Sequence, residues 1–276
     1  MSTLSLCSFS SGSSGNSYLV KTKTAAILID AGISAARILR ELERTETKRE
    51  DVKALFVTHE HHDHVSGARV LLNKLPEIEV CASRGTMEGL ARRDAGRRRS
   101  FSADVSEGRK RIISPDEPVH AGDMAVQAFR TLHDAAEPYG YCISAGEKRV
   151  AIVTDTGIVT ENILYHVMDA DILVLEANHD TEVLRRGSYP HYLKQRILGE
   201  EGHLSNAQAA NTLLRLLAER DKKRVVLLAH LSHENNSPVL AEQTVVKMLA
   251  QQGRYTGGGL YLGVLLRNEA SLLYWI

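Results

Sequence analysis

Short apolar runs along this chain stop abruptly at polar residues. Leu4 to Phe9 and Tyr18 to Val20 read as strands, with the Ser- and Gly-rich stretch Ser10 to Ser17 between them. Ala25 to Ile29 and Ala54 to Val57 are apolar runs of buried-strand length, ending at Asp30 and Thr58. Helical spacing appears between and after them. Ile38, Leu39 and Leu42 predict a covering helix over Ile33 to Glu43. A second helix is expected from Val65 to Leu75, with Val70, Leu71, Leu72 and Leu75 inward and Pro76 as its stop. Ile78 to Ala82 reads as a strand and Thr86 to Asp94 as a helix.

The second half repeats the strand signal. Val119 to Thr131 reads as two strands joined at Ala121–Met124, and Tyr139 to Ser144 pairs with Arg149 to Thr154 across a Gly-containing turn. Ile172 to Leu175 and Val225 to Ala229 are further buried strands. Ser205 with Gln208 forms a capping-box pattern before a helix to Ala218, and Ser237-Pro238 starts a last helix to about Gln251. Gly257 to Gly259 precede an expected C-terminal strand pair, Leu260 to Leu266 and Leu272 to Trp275. No internal period is legible.

Strand after strand ends in a ligand-type residue: Asp30, His59, His133, Asp155, His179 and His230. Layered α/β proteins assemble sites beyond the carboxyl ends of strands. The densest of these ends is Thr58-His59-Glu60-His61-His62-Asp63-His64. Burying so many ionisable groups is costly unless something pairs them, and a divalent cation does so. His59 and His61 are two apart and point the same way in extended chain. Asp63 and His64 follow where the chain turns into a helix. One loop can therefore offer two ligands to each of two ions, with Glu60 and His62 facing away. A His-rich surface loop is the plain alternative.

The 276 residues leave room for a sizeable core. Basic and acidic side chains balance at 34 each, so global charge neither predicts nor excludes a polyanionic partner. Arg84 to Arg111 is locally basic, with nine Lys or Arg against four Asp or Glu: either a solvated face or a phosphate-backbone patch. Cys7, Cys81 and Cys142 are scattered and read as small buried hydrophobes. No secretory signal or membrane-length apolar run is evident, so a cytoplasmic, soluble protein with no membrane partner is expected.

The string His59-x-His61-x-Asp63-His64 resembles the signature of the metallo-β-lactamase fold. That resemblance implies three later ligands, a His, an Asp and a His at strand ends, which match His133, Asp155 and His230. It implies one four-layer αβ/βα sandwich domain over residues 1–276, with a small lid-like insertion near 180–202. Two divalent ions follow from it, His59, His61 and His133 on one, Asp63, His64 and His230 on the other, and Asp155 bridging. Zinc-type lactamases often carry Cys at the bridging position. Aspartate there is similar to the phosphodiesterase and glyoxalase side of the superfamily, and oxygen and nitrogen donors suit zinc or manganese, with iron also compatible.

Gly12 to Asn16, Asn178-His179-Asp180, Tyr189-Pro190 and Gly202-His203-Leu204-Ser205-Asn206 resemble strings of the YycJ (WalJ)-type branch. That branch implies 5′-to-3′ exonuclease action on DNA and a connection to repair machinery. It points to Ser14, Asn16, Tyr189, Ser205 and Asn206 as substrate contacts, and if the partner is a nucleic-acid strand the basic lid residue Arg185 should meet its backbone phosphates. Asp63 is expected to orient the nucleophile, with His179 and His203 as phosphate contacts or proton donors. Two rivals stand beside it: a glyoxalase-type ester or thioester hydrolase, and a non-catalytic scaffold that keeps metals for folding.

Overall fold

The computed structural model describes residues 3–93, 101–220 and 222–276. Among them are two seven-stranded sheets. The first contains β1 (Ser5–Ser10), β2 (Ser17–Lys21), β3 (Ala26–Ile29), β4 (Val52–Phe56), β5 (Glu79–Ala82) and β6 (Lys110–Ile112) in chain order. The second contains β7 (Val119–Ala121), β8 (Met124–Arg130), β9 (Tyr139–Ala145), β10 (Lys148–Val153), β11 (Ile172–Glu176), β12 (Arg224–Ala229) and β13 (Leu260–Val264). The short strand β14 (Tyr274–Trp275) returns to the first sheet beside β1. In each half, antiparallel strands give way to parallel ones, from β3 to β6 and from β10 to β13.

Both faces of each sheet are buried, which is why the strands read as unbroken apolar runs. Alternate side chains belong to different layers. Leu6, Tyr18, Ile27, Ile29 and Phe56 meet Val150, Ile152 and Val174 between the sheets. Cys7, Leu19, Leu28 and Leu55 face the helices of the first half, α1 (Ala35–Arg44), α2 (His62–Val65), α3 (Ala68–Lys74), α4 (Arg84–Arg93) and α5 (Phe101–Asp104). Ala151, Val153, Leu173 and Leu175 face those of the second: α6 (Glu161–Val167), α7 (Thr181–Arg186), α8 (His191–Leu198), α9 (Asn206–Glu219) and α10 (Pro238–Gln251). This is the expected four-layer αβ/βα sandwich.

Three details differ from the pattern reading. The helix expected from Val65 is two helices, α2 beginning inside the His string and α3 after it. They break at Ser66-Gly67, where a Cβ on Gly67 would lie 1.9 Å from the Ile33 carbonyl. Val70 points outward, 41% exposed, because helical spacing puts it on the face opposite Ala68, Leu71, Leu72 and Leu75. The last two strands do not pair: β13 extends the second sheet beside β12, and β14 crosses to β1. Periodicity found the strands but carries no information on which edge each joins.

Candidate metal centre

The parallel strands bring their carboxyl ends to one edge of the sandwich. There β4 delivers the His59–His64 loop, β8 leads to His133, β10 to Asp155 and β12 to His230. Ligand atoms of His59, His61 and His133 lie within 4.8 Å of one another, as do those of Asp63, His64 and His230. Asp155 stands between these sets. It groups with His59 and His64, and also with Glu176, His203 and His230.

Backbone contacts seat the first set of groups. Asn16 N–H donates to the Asp63 carbonyl at 2.7 Å, Ala31 N–H to that of His64 at 2.8 Å, and Gly67 N–H to that of Ala31 at 2.8 Å. Gly32 is needed because a Cβ would fall 1.6 Å from the Asp63 carbonyl oxygen. Asp30, Asp155 and His230 all adopt left-handed φ of 57–60°, which non-glycine residues rarely do. Each turns the chain sharply just past its strand, and such strain concentrates at functional sites.

The imidazoles are oriented from behind. Asp30, fully buried, accepts from His64 Nδ1 at 2.7 Å and from Thr58 N–H and Oγ1. Thr58 Oγ1 in turn lies 3.0 Å from His59 Nδ1. His133 Nδ1 donates to the Gly202 carbonyl at 3.1 Å. Glu176 Oε1 accepts from both His230 Nδ1 (2.9 Å) and His203 Nδ1 (2.7 Å). These contacts leave Nε2 of His59, His64, His133 and His230 for the centre, the arrangement typical of metal-ligating histidines.

The donor set fits divalent cations. His59 Nε2 and Asp155 Oδ2 are buried without hydrogen-bond partners, a costly state that a cation relieves. Burial opposes charge on His64 and His230, yet the Asp155 and Asp63 carboxylates raise both, His230 to about 10. The same pairing holds Asp63 below the carboxylate range although burial raises it, while burial and neighbouring imidazoles push His59 well below 6.5. The edge is thus a concentration of buried negative charge that seeks positive partners.

Other predicted residues are dispersed. Asn16 is buried with Nδ2 3.1 Å from His64 Nε2, whereas Ser14 is exposed. Ser205 caps α9 through the expected capping box, and Asn206 pairs with the Asn236 amide. Arg185 is exposed beside Glu182, and Tyr189 is half-buried between α7 and α8. His179 is 1% exposed with neither ring nitrogen hydrogen-bonded, and burial lowers it to about 4. Glu60 instead receives the Ala136 N–H, and His62 meets Arg93.

The 180–202 segment is two helices, with Lys194 Nζ bonded to the Arg185 and Gly187 carbonyls. Arg196 grips Asp134, next to His133. In the basic run, Arg97 to Arg99 lie outside the described residues. Arg92 pairs with Glu88 and Arg111 with Glu79, and Arg109 donates to the Leu72, Leu75 and Ile78 carbonyls. Glu176 was not among the residues singled out from sequence. Its one signal was a carboxylate closing the apolar run Ile172–Leu175.

Residues 25–231 match the family model described as beta-lactamase superfamily domain. The chain is 39% identical over 241 residues to exodeoxyribonuclease WalJ of Streptococcus pneumoniae serotype 2, covering 87% of this chain and 86% of that protein. It is 34% identical over 243 residues to exodeoxyribonuclease YycJ of Bacillus anthracis, covering 88% of each. In fold it is similar to the solved metallo-beta-lactamase fold protein YhfI from Bacillus subtilis, with a TM-score of 0.70, 15% identity and full coverage of both chains.

Proposed function

The chain belongs to the beta-lactamase superfamily, and we propose that within it this protein is a metal-dependent DNA exonuclease working in the 5′-to-3′ direction. The observation that carries the proposal is Asp155 standing between two complete sets of donor atoms, in a chain so similar to exodeoxyribonucleases. His59, His61 and His133 would hold one ion, Asp63, His64 and His230 the other, with Asp155 facing both. Zinc or manganese suits these donors, and iron is compatible. Bound there, such a pair supplies an acidified water and charge stabilisation on the attacking and leaving oxygens.

The chain's own groups do the rest. The Asp63 side chain is 21% exposed, against 3% or less for Asp30, Asp155 and Glu176, so of these carboxylates it is the one open to orient the attacking water. His203 is 13% exposed, and its Nδ1 is anchored on Glu176. Its free Nε2 can hand a proton to the departing sugar oxygen. We assign that proton to His203 in preference to His179, whose ring is sealed from solvent. Asn16, bonded to Gly12 and reaching His64, holds the glycine loop against the centre.

The test is metal analysis beside a time course on 5′- and 3′-end-labelled DNA. Two ions per chain and mononucleotides released first from the 5′ end are expected. Turnover of thioesters or lactones with DNA left intact would transfer the site to the glyoxalase-type reading.

A further inference from the structure

A cavity of about 520 Å³ lies on the ligand-bearing edge, apart from the donor set, and the chemistry above does not use it. Arg84, Arg130, Ile112, Pro115, Tyr139 and Asn162 are among its walls. Its place follows from topology. The carboxyl ends of β4, β5 and β6 point the same way, and β6 ends at Ile112 in the cavity wall. Arg130 closes β8, three residues before His133. Tyr139 N–H donates to the Thr58 carbonyl at 3.0 Å, and Ala136 N–H to Glu60 Oε1 at 2.9 Å. The segment that walls the cavity therefore backs directly onto the His59–His64 loop.

Its charges are unevenly committed. Glu137 lines the cavity, but its Oε2 accepts the Gly85 N–H at the start of α4, and its Oε1 accepts the Tyr139 hydroxyl. Burial raises this carboxyl, but those bonds hold it below its usual range. Asp116 contacts the Ser114 hydroxyl. Arg130 is 68% exposed and forms an ion pair with Glu137 at 3.3 Å. Arg84 is exposed and makes no ion pair or hydrogen bond with the described residues. Beside these guanidinium groups Ile112, 48% exposed, Ile113 and Pro115 form an apolar wall. Guanidinium groups can pair with a phosphate, and an apolar wall beside them can take the face of a base. The volume falls within the range of ligand pockets.

We propose that this cavity holds one nucleotide of the substrate strand, away from the scissile phosphate. Arg84 and Arg130 contact its phosphate oxygens, and its base lies against Ile112 and Pro115. The proposal rests on the reading of the protein as a nuclease. It separates two substrate classes: a polynucleotide uses the cavity, and a small phosphodiester meets only the donor set.

The experiment compares the metal-loaded wild type with an Arg84→Glu/Arg130→Glu variant. Binding of a fluorescent phosphorothioate single strand of roughly a dozen nucleotides is measured across salt concentrations. In the variant the dissociation constant should rise about tenfold, and the log–log salt slope should fall by roughly 0.7 for each phosphate no longer neutralised. Hydrolysis of bis-p-nitrophenyl phosphate should be unchanged. Equal binding by both proteins, with wild type degrading DNA, overturns the cavity assignment and leaves the nuclease reading standing. A wild type that neither binds nor degrades DNA removes the nuclease reading and this proposal with it. If the variant also loses small-diester hydrolysis, Arg84→Ala decides, because Arg84 has no partner among the described residues to disturb: weakened strand binding supports the proposal and unchanged binding overturns it.

Discussion

The two halves of this sandwich build the same edge in different ways. The first supplies His59, His61, Asp63 and His64 from six consecutive positions. Their orientation comes from neighbours on the first sheet, Asp30 and Thr58, and from backbone bonds to the loops at Asn16 and Ala31. The second half supplies one residue per strand, His133, Asp155 and His230, and orients the two histidines through Glu176 and the Gly202 carbonyl, which are distant in sequence. The first half presents a ready-made loop, whereas the second half's candidate donors converge only once its sheet has formed. Damage to one should therefore differ in kind from damage to the other.

The largest effect is expected where the halves meet. Asp155→Ala and Asp63→Ala should each abolish hydrolysis while circular dichroism shows a folded protein, since each removes a donor from a buried charged cluster. Near-normal turnover with both ions bound in either variant would remove that residue from the ligand set.

The next contrast sets the two buttresses against each other. Asp30→Asn and Glu176→Gln should each lower activity roughly 10- to 100-fold, the usual cost of losing such an outer partner. They should differ in substrate dependence. Glu176 also anchors His203, so Glu176→Gln should spare bis-p-nitrophenyl phosphate, whose leaving group needs no proton, more than DNA. Asp30→Asn should reduce both substrates alike. Identical substrate profiles would dissolve the distinction between the halves.

His203→Ala should show the same selective loss on DNA with both ions retained, as measured by metal analysis. If the count falls to one ion per chain, His203 is a ligand.

The smallest effect concerns acid stability. Burial lowers His179 in the folded protein to about 4 from an ordinary 6.5. The unfolded chain takes up a proton below about 6.5 and the folded one does not, so this contribution is complete above that pH and fades as pH falls toward 4. Between pH 6.5 and about 5 the loss is roughly 1–2 kcal/mol. Melting of His179→Leu should fall less over that window than melting of wild type. Parallel pH profiles for the two proteins would show that His179 titrates normally in the folded state.

Local chemistry alone made much of this protein legible. Apolar runs and their polar ends marked the strands, because a strand buried on both faces must be apolar until it reaches the edge. The His59–His64 string stood out as a cluster of metal-type donors because those donors are adjacent, and the capping box at Ser205 was readable because both its members lie within one turn. What spacing could not carry was decided by the tertiary structure. Glu176 became a double buttress only when β11 was placed between β10 and β12. Arg109, part of an apparent phosphate patch, was turned inward to satisfy three carbonyls at the end of α3 and the start of β5. Leu260–Val264 and Tyr274–Trp275 were parted into different sheets. In each case the deciding partner lies dozens of residues away or more, and a hydrogen bond or strand pairing over that distance leaves no periodic trace in the chain that makes it.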